Sequence, residues 1–118
     1  MHSESKELSV RRALIRFLRS EEGGRASAPL SGVRSQLELG EFQTSCVVES
    51  ATGISHFALG GEVLVDIRVM HPQMLGAAFA QLEKVELYEG SRLVASGKFV
   101  RGAHEVRASF RGPSQSRV

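Results

Sequence analysis

Apolar and polar residues alternate along several short stretches of the chain. Across 10–19, Ala13, Ile15 and Phe17 share one parity, and Arg12 and Arg16 fall on the other with Leu14 and Leu18. Across 62–70, Val63, Val65, Ile67 and Val69 take one side, and Glu62, Asp66 and Arg68 take the other. A repeat of two is the period of a strand, and Val, Ile and Phe suit a pleated, half-buried surface. Residues 84–88 and 93–100 alternate less cleanly, and 36–39 and 42–49 complete a set of about six strands.

Turn chemistry separates these stretches. Residues 21–24 break the first strand, and Thr52-Gly53 and Gly60-Gly61 punctuate the middle. His71-Pro72 ends the long fourth strand, because proline donates no ladder bond and restricts the residue before it. Glu89-Gly90-Ser91, between two strands, predicts a hairpin. Residues 74–82, MLGAAFAQL, are the one place that predicts a helical turn. Short strands at this spacing predict an all-β sandwich or barrel. The expected organisation is a flexible extension over 1–9, a β domain over 10–101 and a basic tail over 102–118, with a further edge strand over 105–110.

Composition narrows the class. The chain has 118 residues, 42% of them hydrophobic and 24% charged, which suits one globular domain and excludes a wholly disordered or fibrous chain. No apolar run approaches the roughly 20 residues of a membrane helix, and the N-terminus has no apolar signal core. A lone cysteine, Cys46, forms no internal disulfide, so the cytoplasm is the expected compartment. The net charge of +2 is unevenly spread. Residues 1–20 carry +3, residues 21–89 carry −6 and residues 90–118 carry +5. Arg outnumbers Lys 12 to 3, and Arg suits two-pronged contacts to phosphate or carboxylate. Basic ends fit a face that meets a polyanion, and equally a solvated surface with a basic tail.

Catalytic constellations are not legible. Gly23-Gly24 and Gly60-Gly61 lack the Lys-Ser/Thr of a phosphate loop. His2, His56, His71 and His104 show no ligand spacing, so no metal site and no cofactor are expected. Cys46, next to Val47 and Val48, reads as a buried small hydrophobe rather than a nucleophile. An enzyme is not expected.

One set of motifs is more specific. An alternating strand runs into Ser20-Glu21-Glu22-Gly23-Gly24-Arg25, and seven residues after Arg25 comes Gly32-Val33-Arg34-Ser35-Gln36. Then follow Gly53-Ile54, Leu59-Gly60-Gly61-Glu62, Val69-Met70-His71-Pro72, Glu89-Gly90-Ser91-Arg92 and the stretch from Val94 to Gly97. In order and offset these resemble the C-terminal, third β-barrel domain of the elongation factor Tu family. That family shows S-K/D-E-G-G-R, G-Y-R-P-Q, G-V, M-P-G-D, L-I-H-P, E-G-G-R and V-G-A-G. The resemblance covers roughly residues 10–101, with about four residues inserted between Pro72 and Glu89. Departures are Ala26 for the family's His, Val33 and Ser35 for its Tyr and Pro, and Leu37-Glu38-Leu39 for an aromatic run.

The resemblance implies a closed six-stranded antiparallel β-barrel from a translation factor of protein biosynthesis. It implies contacts to the backbone of a tRNA T-stem at Arg25, Gln36, Ser45, His71, Glu89 and Gly90. It also implies docking against a GTPase domain or an exchange factor. No GTP binding is expected of this chain, which has no room for the family's GTPase domain. Each position also has a structural explanation. Gly23, Gly24, Gly32, Gly60 and Gly90 suit turns that need positive φ. Arg25 and Arg34 have Glu21, Glu22 or Glu38 as possible partners within the barrel, His71 precedes a turn proline, and Gln36 and Ser45 suit strand edges. The expectation is a non-catalytic domain binding helical RNA, with a protein-docking or self-associating module as the alternative.

Overall fold

The computed structural model describes residues 8–101. Residues 1–7 of the expected 1–9 extension, the tail over 102–118 and the edge strand expected over 105–110 lie outside them. Six strands form: β1 (Val10–Phe17), β2 (Val33–Glu38), β3 (Gln43–Ser50), β4 (Glu62–Val69), β5 (Lys84–Glu89) and β6 (Arg92–Phe99). They pair in the order β1-β4-β3-β2-β5-β6, and β6 returns to β1 from Ala13↔Phe99 to Phe17↔Ala95. Every pairing is antiparallel, so the fold is a closed six-stranded antiparallel β-barrel with no free sheet edge.

The alternation decides what lies inside. Ala13, Ile15 and Phe17 of β1 are buried, as are Val65, Ile67 and Val69 of β4. Leu37, Cys46, Val48, Val85, Leu87, Val94 and Ala95 complete the barrel interior. Aromatic pairs add to this core from the connections. Phe57, in the β3–β4 connection, stacks on Phe17 at 5.3 Å, and Phe79 meets Phe99 edge-on at 5.7 Å. Gly97 lies against the Leu14 carbonyl and Ile15 Cα of β1, leaving no room for a side chain.

β2 begins three residues earlier than the alternation predicts. Gly32 donates its N–H to the Val48 carbonyl at 2.8 Å, and Val33 is already in register with Val48. A serine hid this start, because Ser35 takes an inward position beside Leu37 and is only 4% exposed. The single helical turn expected over 74–82 is two turns. A 3-10 turn spans Pro72–Met74 and a short helix, α1, spans Ala78–Gln81. Gly76, with φ of 58°, breaks the run between them.

Arg11 clips this β4–β5 connection to the barrel. Its Nη1 donates to the Phe79 and Leu82 carbonyls, each at 2.6 Å. Those are carbonyls at the end of α1, where the Phe79 carbonyl has only a long 3.4 Å bond from the Leu82 N–H besides Arg11. Burial lowers the Arg11 pKa from its usual value.

Candidate functional site

The seam between β2 and β5 is the shortest in the barrel. Its register covers only Gln36↔Tyr88 and Leu37↔Leu87, and β5 shifts register against β6 between Leu87 and Tyr88. Past that pairing a surface cleft of about 170 Å³ opens. Arg34, Ser35 and Gln36 of β2 form one wall, Ser45 of β3 extends it, and Tyr88, Glu89 and Gly90 form the other. The last of these begins the two-residue turn of the β5–β6 hairpin, closed by the Glu89↔Arg92 pair. Its φ of 64° is the left-handed geometry such a turn requires.

Gln36 and Ser45 face each other across β2 and β3, and the Gln36 amide Nε2 donates to Ser45 Oγ at 3.2 Å. Arg25 reaches Glu89 at the rim and forms an ion pair with it. The loop geometry explains how Arg25 gets there. A 3-10 turn over Ser20–Glu22 ends at Gly23, with φ of 91°. Gly24 then donates its N–H to the Arg19 carbonyl at 3.0 Å and packs directly on the Leu18 carbonyl. A Cβ at Gly24 would collide with that backbone, so the loop hugs β1 closely. The loop is tied to the hairpin a second time, because Arg92 Nη1 donates to the Gly24 carbonyl at 3.1 Å.

Five of the six expected contact positions therefore border one cleft or its rim: Arg25, Gln36, Ser45, Glu89 and Gly90. His71 does not line it. It is exposed and follows Met70, whose N–H donates to the Ser45 carbonyl at 3.1 Å. Gly32 and Gly60 also have positive φ, 98° and 90°, and act as turns away from the lining. Gly60 donates to the Phe17 carbonyl at 2.7 Å and its own carbonyl accepts from Arg16 Nε at 3.1 Å.

The carboxylate partners differ from those expected. Arg25 pairs with Glu89, not with Glu21, Glu22 or Glu38. Glu22 is held by Arg16 at 2.8 Å, and by the Arg19 backbone N–H at 2.8 Å. These bonds, the Arg16 bond foremost, lower the Glu22 pKa. Glu38 accepts from the Gly40 N–H and the Gln43 amide, both at 3.1 Å. Arg34 has no partner among the described residues and stands exposed on the cleft wall. It is the site residue that sequence reasoning passed over as a candidate contact. The available signal was spacing: residues 34 and 36 of a strand share a face. The register continues that outward row from Arg34 through Val47 to Arg68, an exposed cation that meets Glu49 at 3.3 Å.

Ser35 of this wall and Cys46 behind it take inward positions. Ser35 Oγ is buried without a hydrogen-bond partner, in register with Cys46. Cys46 is fully buried, and burial pushes its thiol up to about 12. Such a thiol is neutral and inaccessible at neutral pH. Ser55 Oγ lies 2.9 Å from His56 Nδ1, but both are exposed loop neighbours and no carboxylate among the described residues orients the ring. Among the described residues, no group of three His, Cys, Asp or Glu is arranged to hold a metal ion, and no helix is long and apolar enough to cross a membrane.

Fold and cleft together define a small closed β-barrel with a cleft of mixed polar and apolar lining, carrying Arg34 and Glu89, at its shortest seam. No protein-family model and no curated protein matches the chain.

Proposed function

We propose that this barrel is a non-catalytic RNA-binding module of the translation-factor type its motifs resemble, acting in the cytoplasm. Its ligand is the backbone of helical RNA such as a tRNA T-stem. The observation that carries this reading is the convergence of residues from three separate motifs, together with Ser45, on one cleft and its rim. Arg25, Gln36, Ser45 and the Glu89-Gly90 turn come from three strands and a loop, yet border the same seam.

The chemistry of the cleft suits a sugar–phosphate backbone. Gln36 and Ser45 offer an amide and a hydroxyl, which bond phosphate oxygens and 2′-OH groups. Gly90 has no side chain to keep a strand away from the turn. Arg34, with no internal acid partner among the described residues, supplies a free guanidinium for a phosphate. None of these groups reads a base edge from within an A-form helix, so recognition would be of shape and backbone. The test is a titration of the protein into labelled tRNA and into an RNA duplex and its DNA counterpart. RNA binding that exceeds DNA binding and weakens steeply with salt supports the reading, and absence of binding at low salt refutes it.

A second reading has one observation in its favour. Leu30 and Ile54 are 59% and 43% exposed, on neighbouring loops joined by the Leu30↔His56 bridge and by the Ser31 N–H to the Ser55 carbonyl at 3.0 Å. Exposed apolar residues on such a face suit docking to a GTPase-bearing protein, or to a second copy. Light scattering across protein concentration tests self-association, and pull-down with a GTPase domain tests the rest.

A further inference from the structure

We propose that Glu89 is an internal anion of the cleft, and that an RNA phosphate binds by displacing its carboxylate from Arg25. The inference rests on the RNA-binding reading and adds to it an autoinhibitory contact. Three features of the structure carry it.

Charge comes first. Among the described residues, Arg34 lines the cleft and Arg25 stands at its rim, and the one carboxylate in the lining is Glu89. That carboxylate is spent on Arg25, so the free protein presents half of its local positive charge already neutralised. An arriving phosphate meets Arg34 with no partner among the described residues, and Arg25 occupied.

Accessibility comes next. The side chains of Arg25 and Glu89 are 25% and 33% exposed. Water reaches both partners, screens the pair and hydrates each one when they separate. A carboxylate that solvent reaches can be exchanged for another anion.

Preorganisation comes last. Arg25 Nε donates to the Ser27 carbonyl at 3.2 Å, so the guanidinium is held in place without Glu89. The loop that carries it is held by Arg92 Nη1 on the Gly24 carbonyl, also without Glu89. Departure of the carboxylate therefore leaves Arg25 aimed at the rim, with Nη1 free to bond a phosphate oxygen. A pair whose only purpose was to staple loop to hairpin would duplicate the Arg92 contact.

The test is a double-mutant cycle read by anisotropy of a labelled RNA duplex at low salt, with melting temperatures recorded alongside. Glu89→Gln should tighten duplex binding about two- to fivefold, the range expected when a competing exposed pair is removed. Arg25→Ala/Glu89→Gln should bind no tighter than Arg25→Ala, because the gain acts through Arg25. Unchanged or weaker binding by Glu89→Gln overturns the inference, and so does an equal gain in the Arg25→Ala background. Inorganic phosphate followed through the Arg25 Nε–H NMR signal separates the two claims. A shift at lower phosphate in Glu89→Gln than in the wild type supports displacement even where no duplex binds, which refutes the RNA reading alone. An equal response in both proteins, or none, overturns displacement.

Discussion

The guanidinium of Arg11 lies 4.1 Å from the ring centre of Phe99 and 5.7 Å from that of Phe79. The same group donates to two carbonyls of the connection that carries Phe79. One side chain thus joins β1 to β6 and to the segment following β4. Replacing it leaves the Leu82 carbonyl without its donor, leaves the Phe79 carbonyl with only the long Leu82 N–H bond, and removes a cation from an aromatic pair. Arg11→Ala should lower unfolding stability by about 2–3 kcal/mol, read from the urea midpoint. Arg11→Lys should recover only part of this, because an ammonium lacks the planar stacking surface. Hydrogen exchange should show the loss concentrated around α1.

Ser35 presents the opposite case. Its hydroxyl is buried and has no partner, at a position the alternation reserves for an apolar side chain. Ser35→Ala should therefore stabilise the barrel, by about 1 kcal/mol in chemical denaturation. A loss of similar size would show that the hydroxyl has a structural use.

Gly97 tests the close approach of β6 to β1. A Cβ there meets the Leu14 carbonyl and Ile15 Cα, which are backbone and cannot swing aside. Gly97→Ala should cost about 3 kcal/mol, with unfolding well below the wild-type melting temperature.

Cys46 gives a pH dependence. Burial raises its folded-state pKa from 9.0 to about 12, so the folded protein holds this proton longer than the unfolded chain does. Stability from this group is fully present below pH 9.0 and is lost as pH rises from there toward 12. Within that window the loss should approach about 1 kcal/mol per pH unit. The fall should be shallower in Cys46→Ala. At neutral pH the wild-type thiol should react with alkylating reagent only as the protein unfolds.

Much of the barrel was legible because its strands alternate cleanly where they line the core. Ala13-Ile15-Phe17 and Val65-Ile67-Val69 have the parity of a half-buried strand, and both sets are buried. The start of β2 was not, because a polar Ser35 occupies an inward position and breaks the apolar series. The two turns of the β4–β5 connection merged into one, since seven of the nine residues over 74–82 are Ala, Leu, Phe or Met and only Gly76 interrupts them before Gln81. Strand order and the ion pairs were beyond local pattern. Arg25 and Glu89 are 64 positions apart and meet because the barrel closes and the loop after β1 is tied to the β5–β6 hairpin. Glutamates near Arg25 in sequence were the more obvious partners, and the loop geometry turns Arg25 away from them. Arg34 had Glu21, Glu22 or Glu38 as its expected partners, and the strand geometry places it on the cleft wall away from all three.

Arg34 offers the most direct measurement, because no described residue competes for its guanidinium and its loss should leave the fold untouched. Binding of an RNA duplex should be followed across salt for the wild type and for Arg34→Ala, with melting temperatures as the control. The wild type should bind at low salt with a steep log–log dependence. Arg34→Ala should weaken binding and make the slope shallower by about 0.7–0.9, the loss of one phosphate contact. Its melting temperature should stay within the range of ordinary surface substitutions. A wild type that does not bind the duplex at low salt, or an Arg34→Ala variant with unchanged affinity and slope, would contradict the assignment of this cleft to RNA.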